Sequence, residues 1–140
     1  MNHQQISQLD HLNLTVADFE KTRDWYGKVF GFETVEKGRI DGRPWGVLQA
    51  GSAHLCIYES KERSFFDRFN LADRRQHGMN HFALRVVDRK QWERLVEEMD
   101  LEVLYGGPVN WPHSTSWYIK DPTGYEIEVV AWDKDKPRFD

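Results

Sequence analysis

The sequence has 140 residues, about one domain's length, with 19 basic and 23 acidic side chains. Its net charge is -4 and it has no basic cluster of the kind that binds phosphates, so we expect no nucleic-acid partner. No apolar run approaches the roughly 20 residues that cross a bilayer, so we expect no membrane partner. Cys56 is the single cysteine and cannot form an internal disulfide, which agrees with a cytoplasmic protein.

The first half of the chain predicts a strand, a helix and three more strands. Apolar and polar residues alternate over residues 8–16, which places His11 and Asn13 on the face opposite the apolar side chains. Asp18 is a predicted helix cap, and the helix that follows it ends at Gly31. The three further strands are GFETVEKG, WGVLQAG and SAHLCIYE, so the first half reads βαβββ.

The second half repeats this order. The stretch DHLNLTV returns seventy residues later as NHFALRV, so that His81 repeats His11. Asp88 caps a second predicted helix, in which Trp92 marks the apolar stripe. Three strand-like segments follow, LEVLYGG, TSWYIKD and GYEIEVVAW, so the second half also reads βαβββ.

The two halves predict an α+β fold in a single domain over residues 1–140. The βαβββ modules span about residues 8–60 and 78–132, and a charged, partly helical linker covers about residues 61–77. Two modules related by a pseudo-twofold axis predict a curved mixed sheet around a metal cleft. Both histidines of the repeated strand would then face that cleft.

Pseudosymmetry also predicts which other side chains face the cleft. Glu128 lies on the polar face of the last strand, and the repeat matches Cys56 to it, with His54 beside Cys56. Two imidazoles and a carboxylate, from His11, His81 and Glu128, suit one divalent ion such as Fe²⁺, Mn²⁺, Zn²⁺ or Ni²⁺. A lone strand histidine is more often a satisfied polar core residue, but two at symmetric positions with a carboxylate favour the metal.

The same residues carry a family resemblance. DPTGYEIEV is similar to an Asp-Pro-x-Gly turn followed four residues later by a metal-binding glutamate, and LDHLNLTVAD and GMNHFALRV are similar to the two histidine-bearing strands. Over about residues 8–132 the chain resembles the vicinal oxygen chelate superfamily, which includes glyoxalase I, the fosfomycin-resistance enzymes, type I extradiol dioxygenases and bleomycin-binding proteins. The resemblance implies that His11, His81 and Glu128 hold a metal acting as a Lewis acid on a small substrate with two neighbouring oxygens.

The resemblance leaves the reaction open between two classes of enzyme. Ser116 and Tyr118 match the Ser-x-Tyr of the fosfomycin-resistance thiol transferases. His113 and Tyr118 are similar to the histidine and tyrosine of the ring-cleaving dioxygenases, which implies an acid–base role for His113 and hydrogen-bond donation by Tyr118. Glyoxalase I itself has a glutamate where this chain offers Cys56 or His54.

Further residues are candidate contacts for the substrate. Arg85 lies four residues after His81 on the same predicted strand, so both side chains share one face and Arg85 could bind an anionic substrate. Trp111 is a candidate for an aromatic wall of the cleft. The resemblance also implies a homodimer. The alternative function that the resemblance implies is a drug- or metabolite-sequestering protein of the bleomycin-resistance type, without catalysis. The predicted substrate-binding set is Asn13, His54, Cys56, Arg85, Trp111 and Ser116.

Overall fold

The computed structural model describes residues 3–140, which form two compact units. Unit 1 ends at Arg63 and unit 2 begins at Ser64, so each unit contains one of the repeated halves. Within residues 3–140 no helix is both long and apolar enough to span a membrane.

Unit 1 has one helix and four strands in the predicted order: β1 (Leu12–Val16), α1 (Phe19–Phe30), β2 (Glu33–Ile40), β3 (Arg43–Ala50) and β4 (Ala53–Glu59). The strand order in the sheet is β1-β4-β3-β2. Strand β1 pairs with β4 in parallel, and the other two pairings are antiparallel. The βαβββ prediction for the first half is confirmed.

Helix α1 begins and ends where the sequence predicts. Oδ1 of Asp18 accepts the N–H of Lys21 at 3.0 Å, which satisfies a free donor of the first turn. Gly31 ends the helix with a φ of 75°, a left-handed conformation that glycine adopts without strain. Because apolar residues recur at helical spacing, one stripe of α1 is buried. The stripe consists of Phe19, Thr22, Tyr26 and Val29.

Unit 2 contains α2 (Arg68–Asp73), β5 (Phe82–Arg85), α3 (Arg89–Glu98), a short 3₁₀ turn (Leu104–Gly106), β6 (Val109–Trp111), β7 (Ser114–Lys120) and β8 (Glu126–Trp132). Its strand order is β5-β8-β7-β6, with β5 and β8 parallel. The second half is again βαβββ, so the α+β class and its two modules are confirmed. Helix α2 is the helical part of the predicted linker.

The predicted strand LEVLYGG is wrong. Residues 101–103 are not part of a strand, and Leu104–Gly106 form the 3₁₀ turn. Tyr105 has a φ of 61° and Gly106 one of 81°, and an extended strand does not accommodate two successive left-handed residues. The edge strand of this sheet is instead the short β6, which pairs with β7.

The two sheets share the same internal register. Leu12 pairs with Leu55 in unit 1, and Phe82 pairs with Ile127 in unit 2. One residue further along the last strand, Cys56 therefore occupies the position in unit 1 that Glu128 occupies in unit 2. This equivalence agrees with the one predicted from the sequence repeat.

Candidate metal centre

His81 lies between two carboxylates in unit 2. Its Nε2 is 3.4 Å from Oε2 of Glu128, and its Nδ1 is 3.4 Å from Oε2 of Glu126. The parallel pairing of β5 with β8 produces this arrangement, because His81 directly precedes β5 and the two glutamates share one face of β8. The imidazole is 31% exposed, so one edge of the cluster meets solvent.

Tyr118 holds the second oxygen of Glu128. It lies opposite Glu128 in the β7–β8 pairing, and its hydroxyl donates a 2.8 Å hydrogen bond to Oε1. Burial, followed by the hydrogen bond to Glu128, raises the pKa of Tyr118 to about 12. Tyr118 therefore remains a protonated hydrogen-bond donor at neutral pH.

Glu126 is the more deeply buried of the two glutamates, with a side chain 1% exposed. Nη1 of Arg68 donates to its Oε2 at 2.9 Å, and the hydroxyl of Tyr105 donates to its Oε1 at 2.6 Å. Burial and this hydrogen bond also raise the pKa of Tyr105. Glu126 shares the polar face of β8 with Glu128, two residues later, but no signal in the sequence pointed to Arg68 or Tyr105 as its partners.

Aromatic rings complete the cluster. Tyr105 and Tyr118 meet edge to face with ring centroids 5.2 Å apart, and His81 meets Tyr118 in the same manner at 5.6 Å. Such contacts restrict ring rotation. The cluster is therefore held by packing as well as by hydrogen bonds.

The residues of this cluster fit part of a metal site. Two ligands about 2.1 Å from one ion at a tetrahedral angle lie about 3.4 Å apart, which is the separation found between His81 Nε2 and Glu128 Oε2. Nδ1 of His81 is buried and makes no hydrogen bond with the described residues. Among residues 3–140, no three His, Cys, Asp or Glu side chains form a ligand cluster, so the structure brings together only two of the three predicted ligands, His81 and Glu128.

Unit 1 carries the other predicted ligand and three of the predicted substrate contacts. Nδ1 of His11 is 2.7 Å from Oδ2 of Asp10, and this interaction lowers the pKa of Asp10. His54 and Cys56 are half-buried on β4, and burial raises the pKa of the Cys56 thiol. Asn13 is exposed beside Cys56 on β1.

Two predicted site residues of unit 2 lie away from this cluster. His113 precedes β7, about 16 Å along the strand from Tyr118, and its Nε2 contacts the backbone oxygen of Asp140 at 2.6 Å. Arg85 is exposed at the end of β5, about 13 Å along the chain from His81. The cluster thus unites His81 and Glu128 with Tyr118. Ser116 is buried two residues before Tyr118 on β7, and Trp111 is exposed at the end of β6.

The duplicated fold and the histidine–glutamate pair agree with one superfamily. The sequence model of the Glyoxalase/Bleomycin resistance protein/Dioxygenase superfamily matches residues 8–129, and the chain belongs to this superfamily.

Two proteins to which the chain is similar are enzymes of different classes. The chain is 26% identical over 132 residues to a catechol-2,3-dioxygenase from Bacillus subtilis, covering 94% of this chain but only 43% of the dioxygenase. It is 22% identical over 127 residues to the metallothiol transferase FosB from Staphylococcus epidermidis, covering 89% of this chain and 82% of FosB.

A solved structure shares the fold. It is a variant of the fosfomycin resistance protein FosX from Listeria monocytogenes, in complex with Mn(II) and a dihydroxypropylphosphonic acid. Its TM-score is 0.70 at 18% identity, with 91% of this chain and 94% of that chain covered. At this identity the likeness establishes the fold alone.

Proposed function

We propose that this protein is a divalent-metal-dependent enzyme that acts on a small substrate with two neighbouring oxygens. The observation that carries the proposal is the pair formed by His81 Nε2 and Glu128 Oε2, 3.4 Å apart, with Tyr118 holding the second oxygen of the carboxylate. The superfamily membership and the Mn(II) in the FosX complex support a metal in this position. Homodimer formation belongs to the same proposal.

Each residue has a separate task in the proposed site. His81 and Glu128 hold the ion, and His11 is the third ligand by the sequence resemblance. The bound ion would supply Lewis acidity toward the substrate oxygens. Tyr118 fixes the rotamer of Glu128, and because its pKa is about 12 it keeps its proton while doing so.

Thiol transfer is the reaction class that the cluster supports better. Its two characteristic residues, Ser116 and Tyr118, lie on the same face of β7 near Glu128. The dioxygenase alternative rests on the higher identity, 26% against 22%, and on an acid–base role for His113. His113 lies about 16 Å along β7 from Tyr118, so we leave it outside the proposed site.

Titration with Mn²⁺, Fe²⁺, Zn²⁺ and Ni²⁺ by calorimetry tests the metal site. We expect about one ion per chain. His81→Ala and Glu128→Gln should each weaken binding at least about tenfold, since each removes a ligand. The matched controls are His77→Ala, an exposed histidine of the same unit, and Glu93→Gln, whose carboxylate pairs with Arg89 at the surface. Unaltered protein that binds none of these ions would contradict the proposal and favour the sequestering alternative.

Two activity assays separate the reaction classes. Mn²⁺-loaded protein should add a small thiol to an epoxide, and Tyr118→Phe should slow this addition by roughly tenfold through a less ordered Glu128. Fe²⁺-loaded protein that instead opens catechol rings in air would favour the dioxygenase class. A mixture of His11→Ala and Glu128→Gln proteins that regains activity would place the ligands of one site on two copies of the chain.

A further inference from the structure

We propose that Glu126 is a positioning residue for the metal centre. It holds the proton of the His81 imidazole on Nδ1, so that the lone pair of Nε2 faces Glu128. This inference rests on the proposed function, because it assigns His81 Nε2 as a metal ligand. It adds an outer carboxylate that is separate from the three predicted ligands.

The first argument is that Glu126 is fixed in place. Its side chain is 1% exposed, and both of its oxygens accept hydrogen bonds, from Arg68 at 2.9 Å and Tyr105 at 2.6 Å. A buried carboxylate held from two sides cannot turn away without leaving a buried charge unpaired. Oε2 of Glu126 is therefore a negatively charged oxygen held in a fixed position 3.4 Å from Nδ1 of His81.

The second argument concerns the two ring nitrogens of His81. A neutral imidazole carries one proton, on either Nδ1 or Nε2. If the proton were on Nε2, the lone pair of the buried Nδ1 would face a carboxylate oxygen at 3.4 Å, and two electron-rich atoms would repel each other. With the proton on Nδ1 this contact is attractive. The unfavourable contact then lies at Nε2, where the partner Glu128 is 19% exposed against 1% for Glu126, so water screens it better. A short movement of the ring would bring it into hydrogen-bonding geometry.

The third argument is what this tautomer does at Nε2. Its lone pair then faces Oε2 of Glu128, also an acceptor, at 3.4 Å. Two acceptors at this distance have no proton to share, and a cation satisfies both. Histidine ligands of metals commonly donate their other N–H to a carboxylate, which fixes the ring and raises its basicity.

The other predicted histidine ligand has a similar neighbour. Nδ1 of His11 lies 2.7 Å from Oδ2 of Asp10. The carboxylate comes from a different position in the repeat, because the residue of unit 1 that corresponds to Glu126 is His54. Each histidine thus faces a carboxylate through Nδ1, which leaves Nε2 available in both units.

Arg68 extends this chain of contacts to helix α2, within the predicted linker. Asp67 caps that helix by accepting the N–H of Asn70 at 2.8 Å, and Lys120 of β7 donates to Asp67 at 2.8 Å. The guanidinium that holds Glu126 is therefore itself attached to the sheet. Helix α2 serves to position a site residue in addition to connecting the two halves.

The test uses protein labelled with ¹⁵N in histidine, in which two-bond ¹H–¹⁵N correlation spectra at pH 8.5 report the tautomer of each ring. The His81 signals are assigned from their absence in His81→Ala. We expect the proton of His81 on Nδ1 in unaltered protein. Glu126→Gln should shift the population toward Nε2–H, because Nδ1 then faces a neutral amide in place of the charged Oε2, whereas Nε2 still faces the carboxylate of Glu128.

The second readout is Mn²⁺ affinity by calorimetry. Glu126→Gln should weaken binding by roughly 10- to 100-fold, as loss of an outer carboxylate typically does. Glu93→Gln is the matched control and should change neither readout. Tyr105→Phe, which removes the 2.6 Å hydrogen bond to Glu126, should shift both readouts in the same direction by less.

The outcomes separate this inference from the proposed function. Unaltered protein with the His81 proton on Nε2 would overturn the inference without any variant. Unaltered protein that binds Mn²⁺, together with a Glu126→Gln protein of the same tautomer and affinity, would also overturn it and leave the proposed function standing. Absence of Mn²⁺ binding would reject the proposed function, and with it the assignment of Nε2 as a ligand.

Discussion

The turn before β8 offers the sharpest test of how the site is built. One oxygen of Asp121, Oδ1, accepts the backbone N–H groups of Thr123, Gly124 and Tyr125, each at 2.9 Å. Asp121 is buried, and the turn leads directly into the strand that carries Glu128. Replacing Asp121 with alanine removes this oxygen from all three donors, and Gly124 keeps a second acceptor, the backbone oxygen of residue 121 at 3.0 Å.

The magnitude follows from these three bonds. A hydrogen bond to a charged group contributes roughly 1.5–3 kcal/mol, but three donors share one oxygen here and the turn is half-exposed, so water replaces part of each bond. About 1 kcal/mol for each of the two bonds lost in full, and less for the shared bond of Gly124, gives a loss of about 2–3 kcal/mol in the free energy of unfolding. Asp121→Asn keeps a neutral oxygen in place, and we expect it to cost about 1 kcal/mol.

Guanidinium chloride unfolding, followed by circular dichroism and tryptophan fluorescence, measures both variants against unaltered protein. Mn²⁺ affinity should follow the same order, because a loosened turn lets Glu128 move from its place beside His81. Equal costs for Asp121→Ala and Asp121→Asn would refute the reasoning, since the hydrogen bonds would then not be the source of the loss. An alanine cost below about 1 kcal/mol would do the same.

Two further predictions concern unit 1. Because burial, followed by the charges of Asp10 and Glu36, raises the pKa of Cys56 above the ordinary value of 9.0, its rate of alkylation by iodoacetamide should still be rising at pH 9.5, and a plateau below pH 9 would contradict this. In Gly46→Ala the new methyl group would lie 3.0 Å from the ring of Phe19, so thermal unfolding should show a loss of about 1–2 kcal/mol, whereas an unchanged or higher melting temperature would show that the ring moves aside.

Local signals in the sequence predicted most of the fold. Asp18 and Asp88 each have the capping chemistry of a helix start, and each accepts the N–H three residues later, at 3.0 Å. The segment LEVLYGG failed because its apolar residues resemble a strand, whereas Tyr105 and the glycines after it adopt left-handed backbone. A tyrosine with positive φ is a consequence of tertiary contacts, here its hydrogen bond to Glu126, and has no local signature.

Two features of the sequence predicted part of the candidate site: the alternation of side chains along a strand and the repeat of the first strand. Alternation placed Glu128 on the polar face of β8, and the repeat matched His81 to His11. The contact of Arg68 with Glu126 joins residues 58 positions apart through a linker helix, which no periodicity reveals. His113 is close to Tyr118 in sequence, but the extended strand between them separates the two residues by about 16 Å.

The confinement of strand pairing to each half has a consequence for synthesis of the chain. Every sheet pairing among the described residues joins strands of one unit, and the pairing of Leu12 with Leu55 closes the first sheet before β5 begins. Contacts of such limited sequence separation form quickly, and translation adds only about 5–20 residues per second. A nascent chain on the ribosome can therefore complete its first sheet, including the strand next to His11, while the codon for Glu128 is still untranslated.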